Sequence, residues 1–528
     1  MLWNEADSSC LTAAGSEVFT GRREACPAFS LSMNPLLLTS FVLALSIALG
    51  SAAPKKNMVF FVVDDMSPDT GAYGNPVIKT PHLDALSKDA TLFSHAFATT
   101  ASCSASRSVI LTGLHNHANG QYGHQHDFHG FESWLKVRGL PLLLEECGYR
   151  TAQIGKLHVA PQEVYRFQTY LDGNPRHPVS MAENCQDFIA SDDERPFFLY
   201  FATSDPHRGG GVDKTSPHKP DLFGNLPNGK ARPGLERIDY DPTNVIVPPF
   251  LSDTPETRSE LLHYYSSISR IDQGVGKLIQ SIKDAGKWED TLFVFTADHG
   301  MAFAGAKTTV YEPGLRVPFI VRQPYLEKRP AWNHAMISHI DITPTLLDFA
   351  GGYDAEKNYS KHPDSRSLGR VRPGDNHGPK DYDRFHGRSI LPILAETEPK
   401  GWDEIGASHT FHEIQMYYPM RVLRDRRYKL IWNVAHGQPY PFASDLWAAT
   451  SWQAQWKKGA DAPYGTKTVD QYVHRPQFEL YRVATDPTES INLAEDTDHS
   501  SILKDMKTRL KKFQLDTGDP WALKWKYE

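Results

Sequence analysis

Asn57-Met-Val-Phe-Phe-Val-Val63, followed at once by Asp64-Asp65, is the stretch on which the architecture of this 528-residue chain turns. An unbroken run of β-branched and aromatic residues reads as a strand buried on both faces, as the strands of a parallel sheet are. The abrupt change to two aspartates places both carboxylates at the strand's C-terminal edge, where open α/β sheets bind their ligands. Two adjacent carboxylates repel unless a cation or hydrogen-bond donors compensate them, so the pair predicts a divalent cation. The bland alternative is an Asp-rich turn with one carboxylate capping the next helix.

Working outward, the same grammar recurs. Tyr149-Arg-Thr-Ala-Gln-Ile154 is a strand that empties into Gly155-Lys156-Leu157-His158. Pro196-Phe-Phe-Leu-Tyr-Phe201 empties into Ser204-Asp205-Pro206-His207-Arg208. Thr291-Leu-Phe-Val-Phe-Thr296 delivers Asp298-His299-Gly300, a second metal half-site, with Lys307 shortly after. Each histidine alone is more often a structural hydrogen-bonder. Together, at equivalent edges of one sheet, they mark a site. Between these strands, Thr80 and Pro81 open a short helix. A segment capped at Thr254 runs to Lys283 with Leu261, Ile268, Ile271, Val275, Leu278 and Ile282 at helical spacing.

Cys103-Ser104-Ala105-Ser106-Arg107 sits before an apolar Val109-Ile110-Leu111 run and Gly113, which predicts a short helix with Ser102, Ser104 and Ser106 available as caps. A helix mouth stabilises an anion, and Arg107 adds a planar cationic fork. The alternative is a small buried cysteine. The histidine-rich loop from His115 to His129 matches no familiar ligand spacing and reads as a polar rim.

Alternating strands and helices argue for an α/β fold, a mostly parallel sheet flanked by helices. This large domain spans residues 54–400, with an exposed Gly/Pro-rich excursion at 209–250 and another at 352–385. Residues 401–528 change texture: Arg421-Val-Leu, Tyr428 to Trp432 and Phe478 to Tyr481 are short alternating strands, and a helix over about Ile502 to Phe513 closes a small α+β domain. Residues 34–53 form an apolar run ending in small residues, which reads as a secretory signal within a 1–53 signal region and predicts export to a periplasmic, extracellular or lysosomal space. No later run is long enough to span a bilayer. A net charge of −7 gives no case for a nucleic-acid partner. With Cys10 and Cys26 upstream of the signal, Cys103, Cys147 and Cys185 do not make a disulfide scaffold; Cys147 and Cys185 are expected to be buried thiols, with a bridge between them after export as the alternative.

Cys103 to Arg107, Ile154-Gly-Lys-Leu-His-Val159, Asp205-Pro-His-Arg208, Arg270-Ile-Asp-Gln-Gly-Val-Gly276 and His412-Glu-Ile-Gln-Met-Tyr-Tyr-Pro-Met-Arg421 together resemble sulfatases of the alkaline-phosphatase-like superfamily. More narrowly they are similar to the sulfamidases, which remove N-sulfate from glucosamine in heparan-type glycans. The chain departs from the usual pattern at Ala105, where sulfatases carry proline, and at His299, where sulfamidases carry asparagine. The resemblance implies that a maturation enzyme oxidises Cys103 to formylglycine, and that Asp64, Asp65, Asp298, His299 and the modified Cys103 hold Ca²⁺. It implies that Arg107, Lys156 and Lys307 neutralise sulfuryl oxygens, that His207 protonates the leaving group, and that His158 helps regenerate the aldehyde. It puts His412, Glu413 and Arg421 over the sugar. The partners it implies are a sulfated glycan and the maturation enzyme, and it leaves a homodimer open. The alternative activities are an O-sulfatase, a phosphomonoester or phosphonate hydrolase, and a non-catalytic glycan-binding protein of the same fold.

Overall fold

The computed structural model describes residues 56–362 and 382–527. The export reading of residues 34–53, and residues 363–381 of the 352–385 excursion, lie outside these. The centre is an eight-stranded sheet made of β1 (Asn57–Val63), β2 (Thr91–Phe97), β3 (Arg150–Gly155), β4 (Thr169–Leu171), β5 (Phe197–Ala202), β6 (Thr291–Ala297), β7 (Phe319–Arg322) and β8 (Trp332–Ser338). Their spatial order is β4-β3-β5-β1-β6-β7-β2-β8, and all but β7 run in one direction.

β1 lies in the middle, with Phe61 level with Phe201 of β5 and Phe295 of β6. The Phe61 and Phe201 rings stack at 4.6 Å. Residues Met58 to Val63 have no exposed surface, which is why the sequence carries no polar alternation there. The functional consequence is geometric: β1, β3, β5 and β6 all end on the same edge, so residues 64–65, 156–158, 205–208 and 298–299 converge there.

Helices cover the sheet: α1 (Pro81–Ser87), α2 (Cys103–Ile110) and the long α3 (Pro255–Asp284). Thr254 caps α3 by accepting the Thr257 N–H at 3.2 Å. Gly274 lets α3 press on the Pro178–Asn184 helix, since a Cβ there would collide with Pro178. The expected caps at Thr80 and Ser102 do not form. The Thr80 hydroxyl takes the Gly71 N–H and donates to Asp84, and the Ser102 hydroxyl meets His412.

A four-stranded antiparallel sheet follows: β9 (Glu404–His409), β10 (Met420–Asp425), β11 (Lys429–Asn433) and β12 (Phe478–Tyr481), in that order. One face joins the main core through Ala407, Met420, Val422 and Ile431. The other buries Leu423, Leu430, Trp432 and Leu480 beneath α4 (Ser500–Asp516), which contributes Met506 and Leu510. Among the described residues no helix is long and apolar enough to cross a membrane. Cys103, Cys147 and Cys185 are all free thiols, Cys147 half-buried and the other two buried.

Candidate active site

The edge of the large sheet gathers the predicted metal residues into one pocket. Asp64, Asp65, Cys103, Asp298 and His299 all have no exposed surface. Asp65 takes a positive φ of 60°, which turns its side chain against its neighbours. Its N–H donates to Asp298 Oδ1 at 3.0 Å, and the His299 N–H donates to the same oxygen at 2.9 Å. Cys103 opens α2, with Sγ 3.7 Å from Asp65 Oδ1 and 3.4 Å from His299 Nε2. Burial pushes the Cys103 thiol well above its ordinary pKa, with Asp64 and Asp65 adding to the rise against Lys156. As encoded, this side chain is a neutral thiol, a weak nucleophile.

Three cations balance the carboxylates. Arg107 has no exposed surface and donates from Nε to Asp298 (2.9 Å), from one terminal nitrogen to Asp64 (3.0 Å) and from the other to Lys156 O (2.9 Å). Its fork braces the metal carboxylates from behind. Lys156 Nζ is 2.5 Å from Asp64 Oδ2 and keeps part of its surface open to the pocket. Burial alone would raise the Asp64 pKa, but Lys156 and Arg107 overcome it and hold the group well below the carboxylate range. Asp298 is raised to about 6 by burial and by the charge on Asp64.

Lys307 Nζ makes three contacts of 2.9 Å each, to Asp65 Oδ2, His207 Nε2 and Asp445 Oδ2. His207 Nδ1 is 2.7 Å from Arg208 O, which assigns the proton to Nδ1 and leaves Nε2 as the acceptor from Lys307. Burial and Lys307 lower the His207 pKa. Arg208 points away, paired with buried Glu260 at 2.8 and 2.7 Å, and Asp205 is clamped by Arg176 and Arg270. Those pairs explain the Asp205-Pro-His-Arg208 and Arg270 motifs as scaffolding under the site.

His158 follows Gly155, where a Cβ would run into Ala202 O, and itself adopts φ 58°. Its Nε2 lies 2.6 Å from His126 Nδ1. Burial and Lys156 lower its pKa well below the ordinary value, so the ring is neutral.

The C-terminal segment is brought in by His412, whose Nδ1 is 3.0 Å from Ser102 Oγ beside the nucleophile. Glu413 is half-buried and accepts from Ser444 at 3.2 Å. Arg421 is taken up by a buried pair. It has no exposed surface and pairs through Nε and a terminal nitrogen with Asp519 at 2.5 and 2.9 Å, while its remaining nitrogen serves His409 O and Met420 O. Asp445 was not anticipated, because a single aspartate in Ser444-Asp-Leu-Trp447 carries no pattern.

The donor set fits a hard divalent cation. With His299 Nδ1 donating to Gly300 O at 3.0 Å, Nε2 faces Asp65 Oδ1 at 3.1 Å. That contact is satisfied by a proton on Nε2 or by a metal cation lying against both atoms. Asp64, Asp65 and Asp298 supply further oxygens, the ligands such a cation prefers.

With this geometry in place, the comparisons assign the class: the sulfatase family profile matches residues 56–353, and the chain belongs to the sulfatase family, enzymes that hydrolyse sulfate from their substrates. The human N-sulphoglucosamine sulphohydrolase is 38% identical over 494 residues, covering 91% of this chain and 94% of that protein. An ulvan-active sulfatase of Formosa agariphila is 28% identical, covering 87% and 80% of the two chains. A solved structure from Bacteroides fragilis shares the fold, with a TM-score of 0.61, 19% identity and coverage of 90% and 99%.

Proposed function

We propose that this enzyme removes the N-sulfate of glucosamine residues in heparan-type glycans. The observation that carries the reading is the similarity to the human N-sulphoglucosamine sulphohydrolase, which extends over nearly the full length of both chains and so includes His412 and Glu413. Asp64, Asp65, Asp298, His299 and the oxidised Cys103 would hold Ca²⁺. Bound calcium would supply positive charge against the sulfuryl oxygens, and the hydrated aldehyde at position 103 would supply the nucleophilic hydroxyl.

The chain's own groups do the rest. Lys156 and Lys307 present ammonium charge to the sulfuryl oxygens in a site shielded from water, where it counts most. Proton delivery to the departing nitrogen falls to His207 Nε2, which first takes up the proton that Lys307 Nζ donates to it at 2.9 Å, because Nδ1 is committed to Arg208 O. Asp65 Oδ2 at 3.7 Å and Asp445 Oδ2 at 3.9 Å stabilise the imidazolium when it forms. His158, held neutral, is the base that lets the aldehyde return. His412 and Glu413 lie against the sugar. The 34–53 run exports the chain, and a maturation enzyme acts on Cys103. The test is kcat/KM on matched N-sulfated and 6-O-sulfated glucosamines with one matured preparation. Preference for the N-sulfate is expected, and preference for the O-sulfate overturns the sulfamidase assignment.

A further inference from the structure

Beside the oxygen-rich site stands a second cluster of opposite chemistry. His124, His126 and His158 each offer one ring nitrogen, and the three nitrogens lie within 4.8 Å of one another. The rings crowd, with centroids 4.9 Å apart for His124 and His126, 4.9 Å for His124 and His158, and 4.8 Å for His126 and His158. The His126 Nδ1 to His158 Nε2 contact of 2.6 Å joins two imidazoles through at most one proton, and buried His158 Nδ1 has no partner. Burial lowers the pKa of all three rings, so each keeps a lone pair at neutral pH. Asp127, 3.8 Å from His126 Nε2, adds negative charge at the rim.

We propose that His124, His126 and His158 form a binding site for a borderline-soft dication of the zinc type, and that filling it withdraws His158 from catalysis. Neutral imidazoles select such ions over calcium, just as the carboxylates next door select calcium. A tetrahedral zinc with bonds of 2.0–2.1 Å sets its ligand atoms roughly 3.4 Å apart. The three nitrogens lie within 4.8 Å, so small ring movements, easiest for His126 with its 42% exposed side chain, and release of the His124 Nε2 contact to His412 Nε2 at 2.9 Å would be needed to seat the ion. The inhibitory consequence rests on the role proposed for His158; the binding itself does not.

The probe is ZnCl₂ titrated by calorimetry into the calcium-saturated full chain, with turnover followed in parallel. One zinc per chain is expected, with bound calcium retained, and turnover is lost as the site fills and restored by a chelator selective for zinc over calcium. His126→Ala should weaken zinc binding at least about tenfold, the least that loss of a supporting partner costs a metal site. Turnover without zinc is measured for the variant beside it, so that zinc inhibition is read relative to that variant's own basal rate. Because His124 is buried, His124→Gln serves as a second variant, with the same expected loss. Undetectable binding, or wild-type binding in folded His126→Ala, overturns the site. Zinc bound with undiminished turnover keeps the site and removes His158 from the proposed mechanism.

Discussion

His299 Nε2 lies 3.1 Å from Asp65 Oδ1, and the ring's other nitrogen is already committed to Gly300 O. A divalent cation lying against both atoms, with Asp64 and Asp298 beside them, would displace any proton from Nε2 and take this contact as two of its ligands. Calcium chelation should therefore abolish turnover and lower the melting temperature, and calcium readdition should restore both. His299→Ala should weaken calcium binding more than tenfold by calorimetry. An unchanged rate and melting temperature after verified metal removal would contradict the assignment.

Cys103 is the first residue of α2, and its thiol is held neutral by burial. Peptide mass spectrometry of active enzyme should show the mass change from thiol to aldehyde, and Cys103→Ala should eliminate turnover. Ala105 lies in the first turn, ahead of the earliest helical hydrogen bond, Ser106 N–H to Ser102 O at 2.7 Å. Proline there removes no helical bond. Ala105→Pro should leave the melting temperature unchanged and keep or raise the converted fraction. Full activity with only unmodified thiol would remove the formylglycine step.

The strand ends were legible because a strand buried on both faces admits no polar residue until it leaves the sheet. Asp64, Lys156, His207 and Asp298 therefore announce themselves at the boundary of apolar runs. Arg107 and Arg421 show where that reasoning stops: a conspicuous arginine near a site reads the same whether it faces the pocket or braces a carboxylate. Only the positions of Asp298 and Asp519, both remote in sequence, distinguish the two. β9 escaped because Glu404-Ile-Gly-Ala-Ser-His409 is small and polar, and Gly406 packs under the Phe513 ring instead of contributing a side chain. The convergence of His124 and His126 on His158 depends on loop geometry that spacing does not encode.

Asp445 reaches the active centre from the C-terminal region, meeting Lys307 Nζ at 2.9 Å. Lys307 is thereby held between Asp65, His207 and Asp445. Asp445→Asn keeps the size and one hydrogen bond but removes the charge that fixes the ammonium. Turnover should fall about ten- to a hundredfold, as expected when a group that positions charge in the transition state is lost. The melting temperature should move little, since the Asp445 side chain is partly exposed. Wild-type kcat/KM in Asp445→Asn would show that Lys307 needs no third anchor.

Arg421 and Asp519 form a pair with no exposed side-chain surface on either partner, tying β10 to the residues after α4. Removing one partner of such a pair typically costs 3–5 kcal/mol, because it leaves a buried charge uncompensated. Arg421→Met should therefore lower the melting temperature markedly, while Arg421→Lys, which preserves charge but not the two-pronged contact, should lower it less. Burial would raise the Asp519 pKa, but Arg421 outweighs it and holds the carboxyl far below the ordinary range. A carboxyl depressed in the folded state contributes stability that is fully present above its unfolded pKa, about 3.9, and is lost as pH falls below it. Unfolding midpoints in urea, measured between pH 6 and pH 3, should drop steeply below pH 4 in the wild type, and Arg421→Met should lose this pair's share of the acid dependence. KM of folded Arg421→Lys should match that of the wild type; a raised KM with unchanged stability would return Arg421 to the substrate.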